Sequence, residues 1–258
     1  MDMIDVWSNW EPTLPPYIIE GDQEILSSPQ NFVINHNWQE AIQAPDFGDP
    51  KDTRLHLGLL PQPFIGDIRR ATIYILLLNP GLGPQDYYGE YQVPEYRMAL
   101  LNNLKQQFIE NSRPFIFLDT QFSWHSGFNW WHGKLSKVIQ EIASSQKITF
   151  ASARTRLASQ IACIELMPYH SVSFREKGQW LKRLTSVELA RKFVNDFVLE
   201  RVQREEAILI VTRKVAVWDL PVMKGIITYN STQARAAHLT PDSPGGRAIF
   251  ERMESKVN

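Results

Sequence analysis

Cysteine occurs once in the 258 residues, at Cys163. No disulfide can form within the chain, and neither a cysteine-ligated zinc nor an iron–sulfur cluster can be built from it alone. Long apolar runs are missing too: nothing approaches the roughly 18 to 20 residues that a membrane span needs. The opening residues, MDMIDVWSNW, are acidic rather than leader-like. Internal repeats and low-complexity tracts are absent, and neither sign of charge dominates, with 27 Lys and Arg against 28 Asp and Glu. The expectation is a cytoplasmic protein with no membrane partner and no evident obligatory protein partner.

What is present is ordinary globular composition, 43% hydrophobic and 21% charged, long enough for one large domain or two small ones. The charge is unevenly spread. Residues 1–70 hold eleven acids and four bases, residues 71–258 seventeen acids and twenty-three bases. A basic body behind an acidic extension suits a polyanion on one face. Composition drift gives the same figures, so charge alone does not establish nucleic-acid binding.

The first 69 residues are rich in Pro and Trp (Trp7, Trp10, Pro12, Pro15, Pro16, Trp38, Pro61, Pro63) and read as an extension packed on a core, with little regular structure. From residue 70 to 258 apolar runs alternate with amphipathic segments, the pattern of an α/β domain. TIYILLL at 72–78 is too short for a globular helix and apolar throughout, as a strand covered on both faces should be. Further strands are expected at 161–167, 207–212 and 226–229. Helical spacing marks 94–111 (Leu101, Leu104, Phe108), 132–145 (Leu135, Val138, Ile139, Ile142) and 186–205 (Ala190, Phe193, Val194, Phe197, Val202), the last behind a Thr185-x-x-Glu188 capping box. Right-handed crossovers then give a parallel sheet of about four strands, whose ligands sit beyond the strands' carboxyl ends. That rule singles out the segments after Leu78, around Glu165 to Ser171, and after Tyr229.

After Leu78 comes Asn79-Pro80-Gly81-Leu82-Gly83-Pro84, then Gln85-Asp86-Tyr87-Tyr88-Gly89-Glu90. An Asn at a strand end can orient a water or a sugar, and Gly81 lets backbone approach a ligand; a tight turn capped by its own Asn is the plainer reading. After the last strand comes Ala237-His238-Leu239-Thr240-Pro241-Asp242-Ser243-Pro244-Gly245-Gly246-Arg247. A His followed by hydroxyls and glycines before a helix suits a developing anion and phosphate contacts, or is a polar surface loop.

Taken together, the two segments resemble the motifs of the uracil-DNA glycosylase superfamily, nearest to its mismatch-specific and single-strand-selective monofunctional branches. The resemblance covers roughly residues 70–255; the branches that bind an iron–sulfur cluster are excluded by the cysteine count. It implies a three-layer α/β/α fold with a short, central, parallel four-stranded sheet, DNA as partner, and neither metal nor cofactor. Asn79 takes the place of the residue that positions the attacking water, and His238 that of the group bonding the base carbonyl O2. Tyr88 resembles the aromatic that stacks on the extruded base, with Gly81 and His170 beside the base. Thr240 and Ser243 would grip flanking phosphates, and the loop through Arg247 would hold the wedge filling the vacated stack. The loop departs from the family in length and at Leu239.

Cleaving an N-glycosidic bond leaves an oxocarbenium-like sugar and an anionic base, so the enzyme must stabilise the anion and deliver water to the opposite face. With no Lys at a motif position, hydrolysis to an abasic site is expected, without coupled strand cleavage. The departure that bears on substrate is Glu165, where uracil readers place an Asn. An ionised carboxylate would face uracil O4 lone pair to lone pair. A protonated one accepts from cytosine N4–H₂ and donates to N3. A modified cytosine is therefore the favoured base, such as the glucosylated hydroxymethylcytosine of phage DNA, excised in antiviral defence. In the competing reading Glu165 pairs with an Arg or His170 and never meets the base. Tyr169 through Arg175 and the tryptophans between Trp124 and Trp131 are candidate sugar contacts or core. The alternatives to this substrate are a uracil or thymine-mismatch glycosylase and a catalytically silent nucleic-acid-binding member. Arg213-Lys214 and the basic residues of 175–214 suit phosphates or solvent equally, and Cys163 reads as inert core.

Overall fold

A computed structural model describes residues 2–27, 31–108, 113–174 and 178–255. In chain order its regular elements begin with α1 (Met3–Asn9), β1 (Phe32–Val33), α2 (Trp38–Gln43), β2 (Leu55–His56) and β3 (Phe64–Ile65). There follow β4 (Ile73–Leu77), α3 (Pro84–Gln92), α4 (Pro94–Leu104), α5 (Ser126–Ser145), α6 (Phe150–Ala158) and β5 (Ile161–Glu165). The last are α7 (Thr185–Phe193), α8 (Leu199–Gln203), β6 (Ile208–Val211), β7 (Ile226–Thr228), α9 (Gln233–Ala236) and α10 (Pro244–Glu254). Arg175 and residues 109–111 of the expected 94–111 helix lie outside the described residues.

The fold is mixed α/β, with a mostly parallel sheet in the order β3-β5-β4-β6-β7. All four strands expected from the apolar runs are present. The sheet has five rather than four, because the two-residue β3 joins β5 at the edge. β4 runs parallel to β6 (Ile73 opposite Ile208, Leu76 opposite Val211), and β6 parallel to β7. The apolar stretch 72–78 is buried on both faces up to Leu76, as a central parallel strand requires. The expected 186–205 helix is interrupted: α7 stops at Phe193, residues 194–198 form a π-type turn, and α8 follows. Among the described residues, no helix is long and apolar enough to cross a membrane.

The chain divides into two compact units. The first comprises Met1–Phe64, Leu78–Gln107 and Glu165–Phe193. Here α1 buries Met3, Ile4 and Trp7 and packs on α4 and α7, while β1 and β2 form a parallel pair. The extension is therefore not without regular structure. Buried Asp22 ties its strands of chain together, accepting from the Tyr169 hydroxyl (2.8 Å) and the Ser186 N–H (3.2 Å). Burial raises the Asp22 carboxyl above the usual carboxylate range.

The second unit comprises Ile65–Leu77, Phe108–Ile164 and Val194–Asn258. Its longest helix, α5, buries Phe128, Trp131, Leu135, Val138, Ile139 and Ile142, the three-and-four spacing of one helical face. The His125 ring caps its start by accepting from Gly127 N–H (3.0 Å). α10 packs on β6 and β7. Cys163 is buried on β5.

Candidate active site

Asn79, Gly81, Tyr88, Glu165 and His170 belong to the first unit; His238, Thr240, Ser243 and Arg247 belong to the second.

In the first unit the chain leaving β4 runs beside the chain leaving β5. Met167 N–H donates to Leu78 O (3.0 Å), Ser171 N–H to Pro80 O (3.5 Å), and the His170 ring Nδ1 bonds Gly81 O (2.7 Å). A carbonyl only accepts, so Nδ1 carries the proton in that bond. Asn79 Nδ2 donates to Pro80 O (2.7 Å) and Ser171 Oγ (2.9 Å), with Ser171 O at 3.4 Å. These acceptors fix which end of the amide is nitrogen. No hydrogen bond among the described residues uses Asn79 Oδ1. Asn79, Gly81, His170 and Ser171 thus lie together where these two stretches of chain meet.

Glu165 ends β5, its N–H donating to Pro63 O (2.9 Å). The residue is 5% exposed, and its Oε2 meets no hydrogen-bond partner among the described residues. Burial is the sole influence on its carboxyl, pushing it well above the ordinary carboxylate range and favouring the protonated form. No arginine and no His170 pairs with it among the described residues.

Gly81 does not serve the turn itself. Its φ is not positive, and a Cβ there would meet nothing within 4 Å. The helix start behind it is held otherwise, by Pro84 in the first turn and by Gly83 N–H donating to Asp86 (2.7 Å). Tyr88 is 43% exposed, edge-on to Trp38. Its buried neighbour Tyr87 instead bonds His56: the hydroxyl lies 3.0 Å from His56 Nδ1 and accepts from Asn35 Nδ2 (3.3 Å). The His56 backbone N–H donates to His170 O (2.8 Å), tying this residue to the chain leaving β5. Burial pulls the His56 imidazole down to about 4, keeping it neutral. His56 lies in the Pro/Trp-rich extension, where no periodicity or turn signal marked it; its Nε2 is buried without a partner among the described residues.

In the second unit His238 is exposed and follows α9 and Ala237, which adopts a left-handed conformation (φ 47°). Four consecutive carbonyls before it are clamped by cations. Arg213 donates to Ala234 O and Arg235 O (3.0 Å each), Lys134 to Ala236 O (2.5 Å) and Ala237 O (3.0 Å). The Tyr229 hydroxyl donates to His238 O. Arg213 thus has a definite structural partner, a use that its place at a strand end did not indicate. Ser243 is also committed: Oγ donates to Thr240 O (2.7 Å) and caps α10 by accepting from Gly246 N–H (3.1 Å). The two following glycines are steric necessities, since a Cβ at Gly246 would lie 1.9 Å from Thr240 O and one at Gly245 2.6 Å from the Tyr229 hydroxyl. Thr240 is half-buried and Arg247 exposed. The tryptophans of 124–131 divide: Trp131 is core against Phe115, Trp124 is half-buried, and Trp130 is exposed beneath the Lys134 ammonium.

A scan against protein-family models gave no match, and searches of curated proteins and of solved structures gave none either. Among the described residues, no group of three or more His, Cys, Asp or Glu is arranged to hold a metal ion.

Proposed function

We propose that the protein is a monofunctional DNA glycosylase that hydrolyses the N-glycosidic bond of a modified cytosine and leaves an abasic site. The observation that carries this reading is the buried Glu165 carboxyl at the end of β5, whose Oε2 has no hydrogen-bond partner among the described residues. An uncompensated buried carboxyl costs stability, and a protein tolerates it where a ligand completes its hydrogen bonds. In its protonated form it offers one donor and one acceptor, the complement of cytosine N3 and N4–H₂.

On this reading Asn79 Oδ1 accepts from the attacking water, while the resemblance assigns His238 to the base carbonyl O2, where negative charge develops. Extruding the base costs a few kcal/mol, offset in part by stacking on an aromatic side chain, Tyr88 by resemblance. Ordinary cytosine must be rejected, so an appended group such as a glucosylated hydroxymethyl supplies the discrimination.

The test is incubation with oligonucleotides carrying glucosylated hydroxymethylcytosine, cytosine or uracil, or a thymine mismatch, followed by alkaline cleavage. Breaks confined to modified-cytosine DNA are expected. Breaks with uracil or mismatched thymine would instead establish a repair glycosylase, and DNA binding without breaks a silent member. Asn79→Ala and His238→Ala should each lower excision by about 100-fold or more with DNA affinity retained. Glu165→Gln should change the ranking of bases rather than the folding, and an unaltered profile would overturn the cytosine assignment.

A further inference from the structure

We infer that Ser171 is a positioning residue for the excision reaction, setting which end of the Asn79 amide meets the attacking water. The inference rests on the glycosylase reading for its consequence, and on hydrogen-bond geometry for its substance.

The two ends of an asparagine amide are nearly the same size and opposite in chemistry. An oxygen turned toward water accepts a proton and orients a lone pair for attack, whereas an NH₂ turned the same way does the reverse. What settles the choice is whatever the other end bonds. Asn79 Nδ2 has two protons and two short partners, Pro80 O at 2.7 Å and Ser171 Oγ at 2.9 Å. Pro80 O is the neighbouring residue's own carbonyl and by itself leaves the amide free to swing. Ser171 is 92 positions away and is anchored independently of Asn79. The preceding residue, His170, is pinned through its ring to Gly81 O (2.7 Å) and through its backbone carbonyl to His56 N–H (2.8 Å), which holds the chain at Ser171 in place. Ser171 is itself buried. The second contact therefore ties the amide to a fixed point on the chain leaving β5. Without Oγ, the second proton keeps only Ser171 O at 3.4 Å, too long to hold it firmly. Misplacement of a reacting group by about 1 Å is worth roughly 100-fold in rate, so a loosened amide shows in turnover rather than in DNA affinity.

Two measurements test this. In single-turnover excision from an oligonucleotide carrying glucosylated hydroxymethylcytosine, Ser171→Ala should slow the chemical step by about tenfold or more, with DNA Kd within about twofold of wild type. Ser171→Thr, which keeps the hydroxyl, should recover most of the rate. Ser171→Ala at wild-type turnover, beside an inactive Asn79→Ala, would overturn the inference while leaving the glycosylase reading intact. The second readout needs no activity. The side-chain amide protons of Asn79, followed by NMR in the full-length protein, should exchange slowly in wild type and markedly faster in Ser171→Ala. Equal exchange rates would overturn the positioning role. A clear difference in a wild type that excises no base would uphold the amide's anchoring and remove the glycosylase reading instead.

Discussion

A buried histidine and a buried glutamate impose opposite pH dependences on this chain. His56 titrates near 4 when folded, against an ordinary value of about 6.5. Between those values the unfolded chain binds a proton that the folded one refuses. The contribution of neutral His56 is thus complete above about pH 6.5 and lost as pH falls toward 4. Glu90 is pushed up to about 8 by burial, although Leu60 N–H and Arg97 face its carboxyl. Its burial weakens the fold as pH rises from about 4.5 to 8. The two effects overlap in mild acid, so a single melting curve hides both. Comparing wild type with His56→Gln in urea isolates the first. Between pH 7 and pH 4 the stability difference should move in the variant's favour by on the order of 3 kcal/mol. A difference that does not change with pH would mean His56 is not held neutral.

At the scale of elements, the glycines of the two motif segments divide by what they do. Gly246 is required by close packing of α10 on the Thr240 carbonyl, so Gly246→Ala should cost about 1–3 kcal/mol. Gly81→Ala meets nothing and should melt with wild type. If a base or sugar occupies the space at Gly81, that same variant should lose excision about tenfold or more. Thermal melts and excision rates on both variants separate packing from recognition, and a Gly81→Ala enzyme of full activity would remove Gly81 from the site.

The legibility of the sequence follows the same division. Strands β4, β5 and β6 were readable because they are central and read as unbroken apolar runs ended by turn residues, and the edge strand β7 by its short apolar run before Tyr229. β3 was not, since two residues carry no pattern, and neither was the break after Phe193, because the apolar spacing persists through it. Asn79, Gly81, Glu165 and His170 were singled out because they stand at or just beyond strand ends, where ligands of parallel sheets gather. His56 and the anchoring role of Ser171 were hidden, as each depends on contacts between distant stretches of chain. Ser243 was read as a phosphate contact, and the structure commits its hydroxyl to capping α10.

At the scale of the whole molecule, each compact unit is assembled from three separate stretches of chain. The extension is part of the first unit's core: Met3, Ile4 and Trp7 are buried, and Asp22 holds Tyr169 and Ser186. Deleting residues 1–64 should therefore unfold the first unit rather than trim it. In limited proteolysis the truncated chain should be cut rapidly within 78–107 and 185–193, where the full-length protein resists. Equal resistance there would show that the extension is dispensable.

That assembly also orders events during synthesis. A ribosome delivers α7 nearly two hundred residues after α1, so the apolar face carrying Trp7 emerges long before one of its partners exists. At about 5–20 residues per second the wait lasts tens of seconds at the slow end. Throughout it the nascent chain carries that apolar face without its α7 partner. Slower translation upstream of residue 185 prolongs that exposure and should lower the yield of native protein.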